Sequence, residues 1–568
     1  MFTRDTRHSS GIALLASPGI ALLASPGIAL LAGAIALSSL TACKPAATTP
    51  PPAESTPVVT PTPVVEAEKR AYQDPPAPTE PRPVQFPDLQ KFTTKNGMDV
   101  YVVENHEVPL ISAQLVVRAG TMDDEQLAEM TASMLGEGTK TRSKAKIDEE
   151  IEFVGGRLGA GAGVHDTSVF SQVLKKDLKL ALTLMADEVQ NPAFPEAALT
   201  KLKDQAKTAL KAQKSDADGL ADTLFGMVAY PEGHPYGRPM PTEGQIDAVG
   251  LDAIKKFHND FYRSNNAYLI LSGDITPGEA QPLVESLFGK WKPIEGAPPV
   301  NPLNNFPKYA HPEQLVVHLV DRPGSAQTEV RVGNLALARK HPDWIKFDMA
   351  SDILGGGSTG RLFLDVREEK GLTYGVYAKM ESGQAPGTWL IWTKTKTKST
   401  GEMLTALVGH IDKMRNEDPT QREYDEVLTQ AIGSFPLGIE TADQVAGRVR
   451  TILTFGLPPD YWKTYRDEVR KVQMGDIKAM ARSYMLSASG PKLRPIIVLV
   501  GRADKVEPQV KEVLKDAVIV HYNTDLECTD KSPLCAANKP RAAGSAAAAP
   551  AAPAAAPAAK ASAASSQK

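Results

Sequence analysis

Three cysteines in 568 residues are too few for a disulfide scaffold or a cysteine-rich metal site. A surplus of charge is missing too. Sixty-three Lys and Arg against 67 Asp and Glu leave a net charge of -4, which gives no electrostatic case for nucleic acid as the main partner. The ten histidines contain no HxxxH, HExxH or HxxEH spacing, whereas a catalytic zinc site needs about three protein ligands and an open fourth position. The run Gly355-Gly356-Gly357 continues as Ser358-Thr359-Gly360-Arg361, so the Lys-Ser/Thr ending of a phosphate-binding loop is absent. What is present is ordinary for a soluble globular protein, 42% apolar and 23% charged residues. The chain is too long for one hydrophobic core, so at least two domains are expected.

Both ends differ from the middle. Arg4, Arg7 and His8 precede an apolar stretch, Gly11 to Ala42, that closes on Leu40-Thr41-Ala42-Cys43, the pattern of a bacterial lipoprotein signal over residues 1–42. The stretch repeats an octad, GIALLASP. A single transmembrane anchor is the alternative, which Pro18 and Pro26 disfavour by interrupting a continuous helix. Lipidation at Cys43 would place the mature chain in the cell envelope. Lys44, in place of Asp, favours the outer membrane, facing the periplasm, and there Cys528 and Cys535 can pair across a six-residue gap. Residues 44–88 hold 13 of the 45 prolines, so 43–88 reads as an extended tether. Residues 523–568 read as a disordered, mildly basic Ala/Pro tail.

The region between, 89–522, is a duplication. Residues 132–142 read ASMLGEGTKTR and residues 351–361 read SDILGGGSTGR, an offset of 219. Each is preceded by Ser-Ala-Gln opening a strand, at Ser112 and at Ser325. In the first, Ile111, Ala113, Leu115 and Val117 alternate with Ser112, Gln114 and Arg118, the period of a strand with one buried face. Each half closes on an apolar strand, Ala267–Gly273 or Pro495–Gly501, followed by an amphipathic helix. Prolines mark a joint at 292–311. The fold class is α+β: two homologous domains, 89–291 and 312–522, each a sheet covered by helices.

The order of motifs carries a resemblance. LGEGT with a following Arg, the Gly-rich segment 155–163, NPAFPE at 191–196, HPYGRP at 234–239 and FYRSNNAYLILSGD at 261–274 resemble the first half of the M16 peptidases, the insulinase, pitrilysin and mitochondrial processing peptidase relatives. LGGGSTGRLFLDVREEKGLTYGV, residues 354–376, resembles that family's second half. The resemblance implies two α+β halves paired like a clam around a chamber. In active members HxxEH on the first helix and a distal Glu bind zinc, and the motif's Glu is the general base. Matched from the GEGT turn, those positions fall here on Glu129, Met130, Thr131, Ala132 and Ser133, with the distal carboxylate near Thr208. Ala132 can neither accept a proton nor orient water. His165, the nearest histidine, reads as an ordinary polar strand residue, and Glu129 alone would hold zinc too weakly.

The expectation is therefore a chain that binds no zinc and is inactive alone. Arg367 and Tyr374, seven apart in REEKGLTY, match an Arg/Tyr pair that relatives use to bind the substrate backbone and steady the tetrahedral intermediate. The loop Gly355, Gly356 and Gly357 matches one that helps capture substrate. Such a chain would lend this pair to an HxxEH-bearing M16 subunit, with zinc on that partner and peptides as substrates. The alternative is a non-catalytic scaffold or assembly lipoprotein on the same fold.

Overall fold

The computed structural model describes residues 83–296, 299–306, 312–490, 492–530 and Cys535. The expected leader, Cys43, most of the tether and most of the tail lie outside the described residues.

The first half runs β1 (Gln90–Thr93), β2 (Asp99–Glu104), β3 (Leu110–Val117), α1 (Glu125–Leu135), α2 (Lys144–Phe153), β4 (Arg157–Ala162) and β5 (Thr167–Leu174). It continues through α3 (Leu178–Gln190), α4 (Glu196–Ser215), α5 (Ala217–Ala229), α6 (Glu243–Ala248), α7 (Leu251–Phe261), β6 (Ala267–Gly273) and α8 (Pro277–Phe288). The second half opens with β7 (Val316–Asp321), β8 (Gln327–Leu335) and α9 (Trp344–Gly355), then a π-helical turn (Phe363–Glu369), β9 (Val376–Met380) and β10 (Thr388–Lys396). It ends with α10 (Thr400–Asn416), α11 (Gln421–Ser434), α12 (Ala442–Phe455), α13 (Tyr461–Lys471), α14 (Met474–Tyr484), β11 (Ile496–Gly501), α15 (Ala503–Val513) and β12 (Val518–Tyr522).

Topology confirms the duplication. The sheets are ordered β1-β2-β6-β3-β5-β4 and β12-β7-β11-β8-β10-β9, so each contains the same five-strand pattern with one extra edge strand. In both, the closing strand lies parallel to the opening one and antiparallel to its other neighbour. Helix boundaries follow local chemistry. The Asp124 carboxylate accepts from the Leu127 amide to start α1, Thr441 and Gln444 form a capping box for α12, and Gly456, in the left-handed region at φ 62°, closes it. The stripe Leu178, Ala181, Leu182, Met185 and Val189 of α3 is buried against the first sheet and its neighbouring helices.

The alternation in β3 predicts one buried face, and both are covered. Ile111, Ala113, Leu115 and Val117 pack under their own half's helices, while Val116 packs with Tyr101, Val103, Tyr268 and Ile270 beneath Val445, Ala446, Val449 and Ile452 of α12. The cover for the second face comes from the other half. Reciprocally, Leu220, Ala221, Leu224 and Phe225 of α5 pack on Val316, Val320, Val498 and Val500 of the second sheet. Each exchanged helix is latched by charge. Arg331 of β8, 1% exposed, donates to Asp218 and Asp222 of α5 at 2.6 Å each, and Arg450 of α12 pairs with buried Asp166, which also accepts from Thr454 at 2.7 Å. The halves are thus interlocked along these faces by α5 and α12.

The expected boundaries shift at both ends. Phe86, assigned to the tether, is buried in the α12 cluster, and Asp88 pairs with Lys463. Beyond Tyr522 the chain turns back: Tyr522 bridges to Cys528, His521 contacts Asp530 at 3.0 Å, and Leu526 and Cys535 are buried beside α5. Cys528 and Cys535 form a disulfide with Cα atoms 5.6 Å apart.

Candidate functional site

Helix α1 sets the first part of the site. Met130, Thr131 and Ala132 are buried, while Glu129 and Ser133, one turn apart, are exposed on one side. Met130 and Met134 pack with Leu199 and Leu210, joining α1 to α4. Thr208 is exposed on α4, its hydroxyl donating to the Asp204 carbonyl at 2.8 Å. Glu129 reaches solvent but is closely surrounded by protein; this desolvation, and next the Glu125 carboxylate, push its carboxyl up to about 7. A carboxylate and two hydroxyls, with apolar Ala132 between them, do not fit a zinc site that wants imidazoles and a general base. No group of three or more His, Cys, Asp or Glu suited to a metal occurs among the described residues.

His165 lies in the turn between β4 and β5, not in a strand, and serves as a strut. Its Nε2 is 2.6 Å from the Tyr236 hydroxyl, which also accepts from the Gln384 amide at 3.0 Å across the junction. Burial lowers its pKa, favouring the neutral ring.

The second half supplies the other part. Arg367 lies on the π-helical turn, its guanidinium 4.4 Å from the Phe363 ring centre and 3.1 Å from Glu368. Seven residues on, the backbone is pinned: Thr393 donates to the Gly375 carbonyl at 2.8 Å, Thr395 to the Leu372 carbonyl at 2.8 Å, and Thr373 accepts from the Gly375 amide at 3.1 Å. Tyr374 between these anchors is 87% exposed and makes no hydrogen bond or ring contact among the described residues. The contacts of Arg367 stay within its own segment, so neither residue is engaged with α1.

The three glycines divide by role. A Cβ on Gly355 would sit 2.6 Å from the Ala378 amide of β9, and one on Gly356 would strike Asp352. Gly357 faces open space. Glycine at 355 is thus required by the close passage of α9 over β9, and Gly357 alone of the three has room beside it for a ligand.

One constellation escapes a motif search. At the 219-residue offset, Glu129 and Ser133 correspond to Asp348 and Asp352 on α9. Burial raises both carboxyls, Asp348 to about 6, with Arg339 opposing the shift; the Asp348 charge raises Asp352 further. Tyr461 and Tyr465 of α13 stand beside them. The signal was the repeat register itself.

Residues 100–233 match the family described as Insulinase (Peptidase family M16), and residues 248–431 the one described as Peptidase M16 inactive domain. An uncharacterized zinc protease of Bacillus subtilis is 23% identical over 365 residues, covering 63% of this chain and 87% of its own. A Helicobacter pylori protein named as a non-peptidase homolog is 23% identical over 394 residues, covering 67% and 88%. The crystal structure of a peptidase M16 inactive domain from Pseudomonas fluorescens superposes with a TM-score of 0.66 at 25% identity, covering 73% of this chain and 98% of that one.

Proposed function

Since the chain belongs to the M16 peptidase family, we propose that it is a zinc-free subunit that completes the active site of an HxxEH-bearing M16 partner. The observation that carries this reading is Tyr374: a phenol on a backbone held by Thr393 and Thr395, yet exposed and without a partner among the described residues. A rigid base with an unspent donor is suited to a substrate or a second subunit. Arg367, stacked on Phe363, adds a cationic donor from the same segment. In the assembled pair these two residues bind the backbone of a peptide and donate to the oxygen on which charge develops. Zinc and the general base belong to the partner, because Glu129, Ala132 and Ser133 cannot supply them. The mature chain is held at the cell envelope by lipid on Cys43, at the outer membrane facing the periplasm.

The test is expression of this chain alone and together with an HxxEH-bearing M16 subunit, followed by peptide cleavage and zinc assay. Cleavage is expected only from the pair. Within it, Tyr374→Phe or Arg367→Ala lowers kcat about 10²- to 10³-fold with assembly intact. Cleavage by the lone chain with one equivalent of zinc overturns the reading. The name of the Helicobacter pylori relative favours a second one, a non-catalytic scaffold; it is supported if the pair assembles but both variants cleave at the unaltered rate.

A further inference from the structure

The two sheets end alike, but their charges do not. In the first half, Lys175, just after β5, meets Asp274 at 3.2 Å and Glu279 at 3.0 Å. His106 meets the same Asp274 at 2.6 Å and Glu104 at 3.2 Å. Every cation named there has a carboxylate. The matching corner of the second half is built from the β7–β8 turn, the 3-10 turn between β10 and α10, and the start of α15. Leu174 ends β5 opposite the first residue of β3, and Lys396 ends β10 opposite the first residue of β8. The residue after the strand-ending glycine is Asp274 in one half and Arg502 in the other. At this repeated position, one half carries an acid and the other a base.

The consequence is an open cleft of about 590 Å³ walled by Lys396, Lys398, Arg502 and Lys505, with Ser325 and Thr397 between them. Asp504 is the one carboxylate paired with these cations among the described residues, 3.1 Å from Arg502 and 3.5 Å from Lys505. Lys396 and Lys398 have no ion-pair partner among the described residues. Two helices begin here, α10 and α15; the Asp321 carboxylate accepts from the Ala503 amide at the start of α15 at 3.0 Å, so the positive potential of the cleft comes from its side-chain cations. Gln509 ties the corner together, accepting from the Gly401 amide at 3.1 Å and donating to the Thr397 carbonyl at 2.9 Å. The Arg502 fork already lies on Asp504. What remains free is the ammonium groups of Lys396 and Lys398, point charges that suit a multiply charged oxyanion better than a planar carboxylate.

We propose that this corner binds a phosphate group, from either a soluble phosphate or a phospholipid headgroup. The Lys396→Gln/Lys398→Gln/Lys505→Gln variant is compared with the unaltered chain, both made with Cys43→Ser so that no lipid anchor contributes. One arm titrates inorganic pyrophosphate by calorimetry. The other floats the proteins with vesicles of phosphatidylglycerol and phosphatidylcholine, or of phosphatidylcholine alone. The basic tail is common to both proteins, so only the difference between them is read. Affinity is expected to fall about tenfold or more in the variant, and binding by the unaltered chain to weaken with added salt. The three lysines are exposed, and an unchanged melting temperature shows that the variant is folded. A difference with pyrophosphate assigns a soluble ligand, and one with the anionic vesicles alone a lipid headgroup. Equal behaviour of the two proteins in both arms overturns the proposal.

Discussion

Glu188 on α3 is 2% exposed, and one of its carboxyl oxygens has no hydrogen-bond partner among the described residues. Burial, the largest cause, pushes this carboxyl from 4.5 up to about 8, against the pull of Lys144. The native state therefore keeps a proton that the unfolded chain releases. Its contribution to stability is full below about pH 4.5 and is lost as pH rises through about 8. Glu188→Gln should shrink the fall in stability between roughly pH 6 and 9 by about 2 kcal/mol. Urea melts at both pH values check it, and an equal fall in both proteins would show that Glu188 is not the group responsible. Gly355 makes a second expectation: Gly355→Ala drives a methyl onto the β9 backbone and costs about 2 kcal/mol or more, whereas Gly357→Ala costs less than about 1 kcal/mol. Denaturant midpoints distinguish them. The glycine run was visible in the sequence; which glycine packs and which faces out was not, because that depends on β9 passing beneath, some twenty residues later.

At the scale of elements, strands and helices inside each half were largely legible. AYLILSG is β6 with every residue buried, and PIIVLVG differs from β11 only by its leading proline. The misreading of β3 has a physical origin. Alternation reports the polarity of the two faces, and Ser112 remains polar although fully buried, because the face above it is closed by α12, more than three hundred residues away. No local pattern contains that helix. Its latch can be tested through the equivalent one on α5. Arg331 is buried while Asp218 and Asp222 are about half exposed. Arg331→Ala should cost about 3 kcal/mol, the range for removing one partner of a buried pair, and Asp218→Asn less than about 1 kcal/mol, since a wet carboxylate is readily resolvated. Similar losses from both substitutions in urea denaturation would mean that burial does not set the cost.

For the whole molecule, the described residues from 83 onward form one compact unit, although the repeat register makes two domains visible in the sequence. Each sheet has a face that only the other half covers. The described region should therefore unfold in one calorimetric transition, and a fragment 83–296 should be insoluble alone and recovered when 312–535 is co-expressed. Two separated transitions, or a soluble folded fragment, would contradict the interlock. The boundaries in the sequence fell short at both ends for the same reason. Phe86 and Leu526 look like isolated apolar residues in polar surroundings, and only the assembled surface of α12 or α5 gives them somewhere to pack.

The exchange of α5 and α12 also speaks to ancestry. A half-length forebear with this topology would have left one sheet face bare as a monomer, and two copies trading the same helix would have closed both faces by twofold symmetry. Joining two such copies in one chain would make that pairing permanent. Within one chain the two corners need not match, and they carry Asp274 in one half and Arg502 in the other.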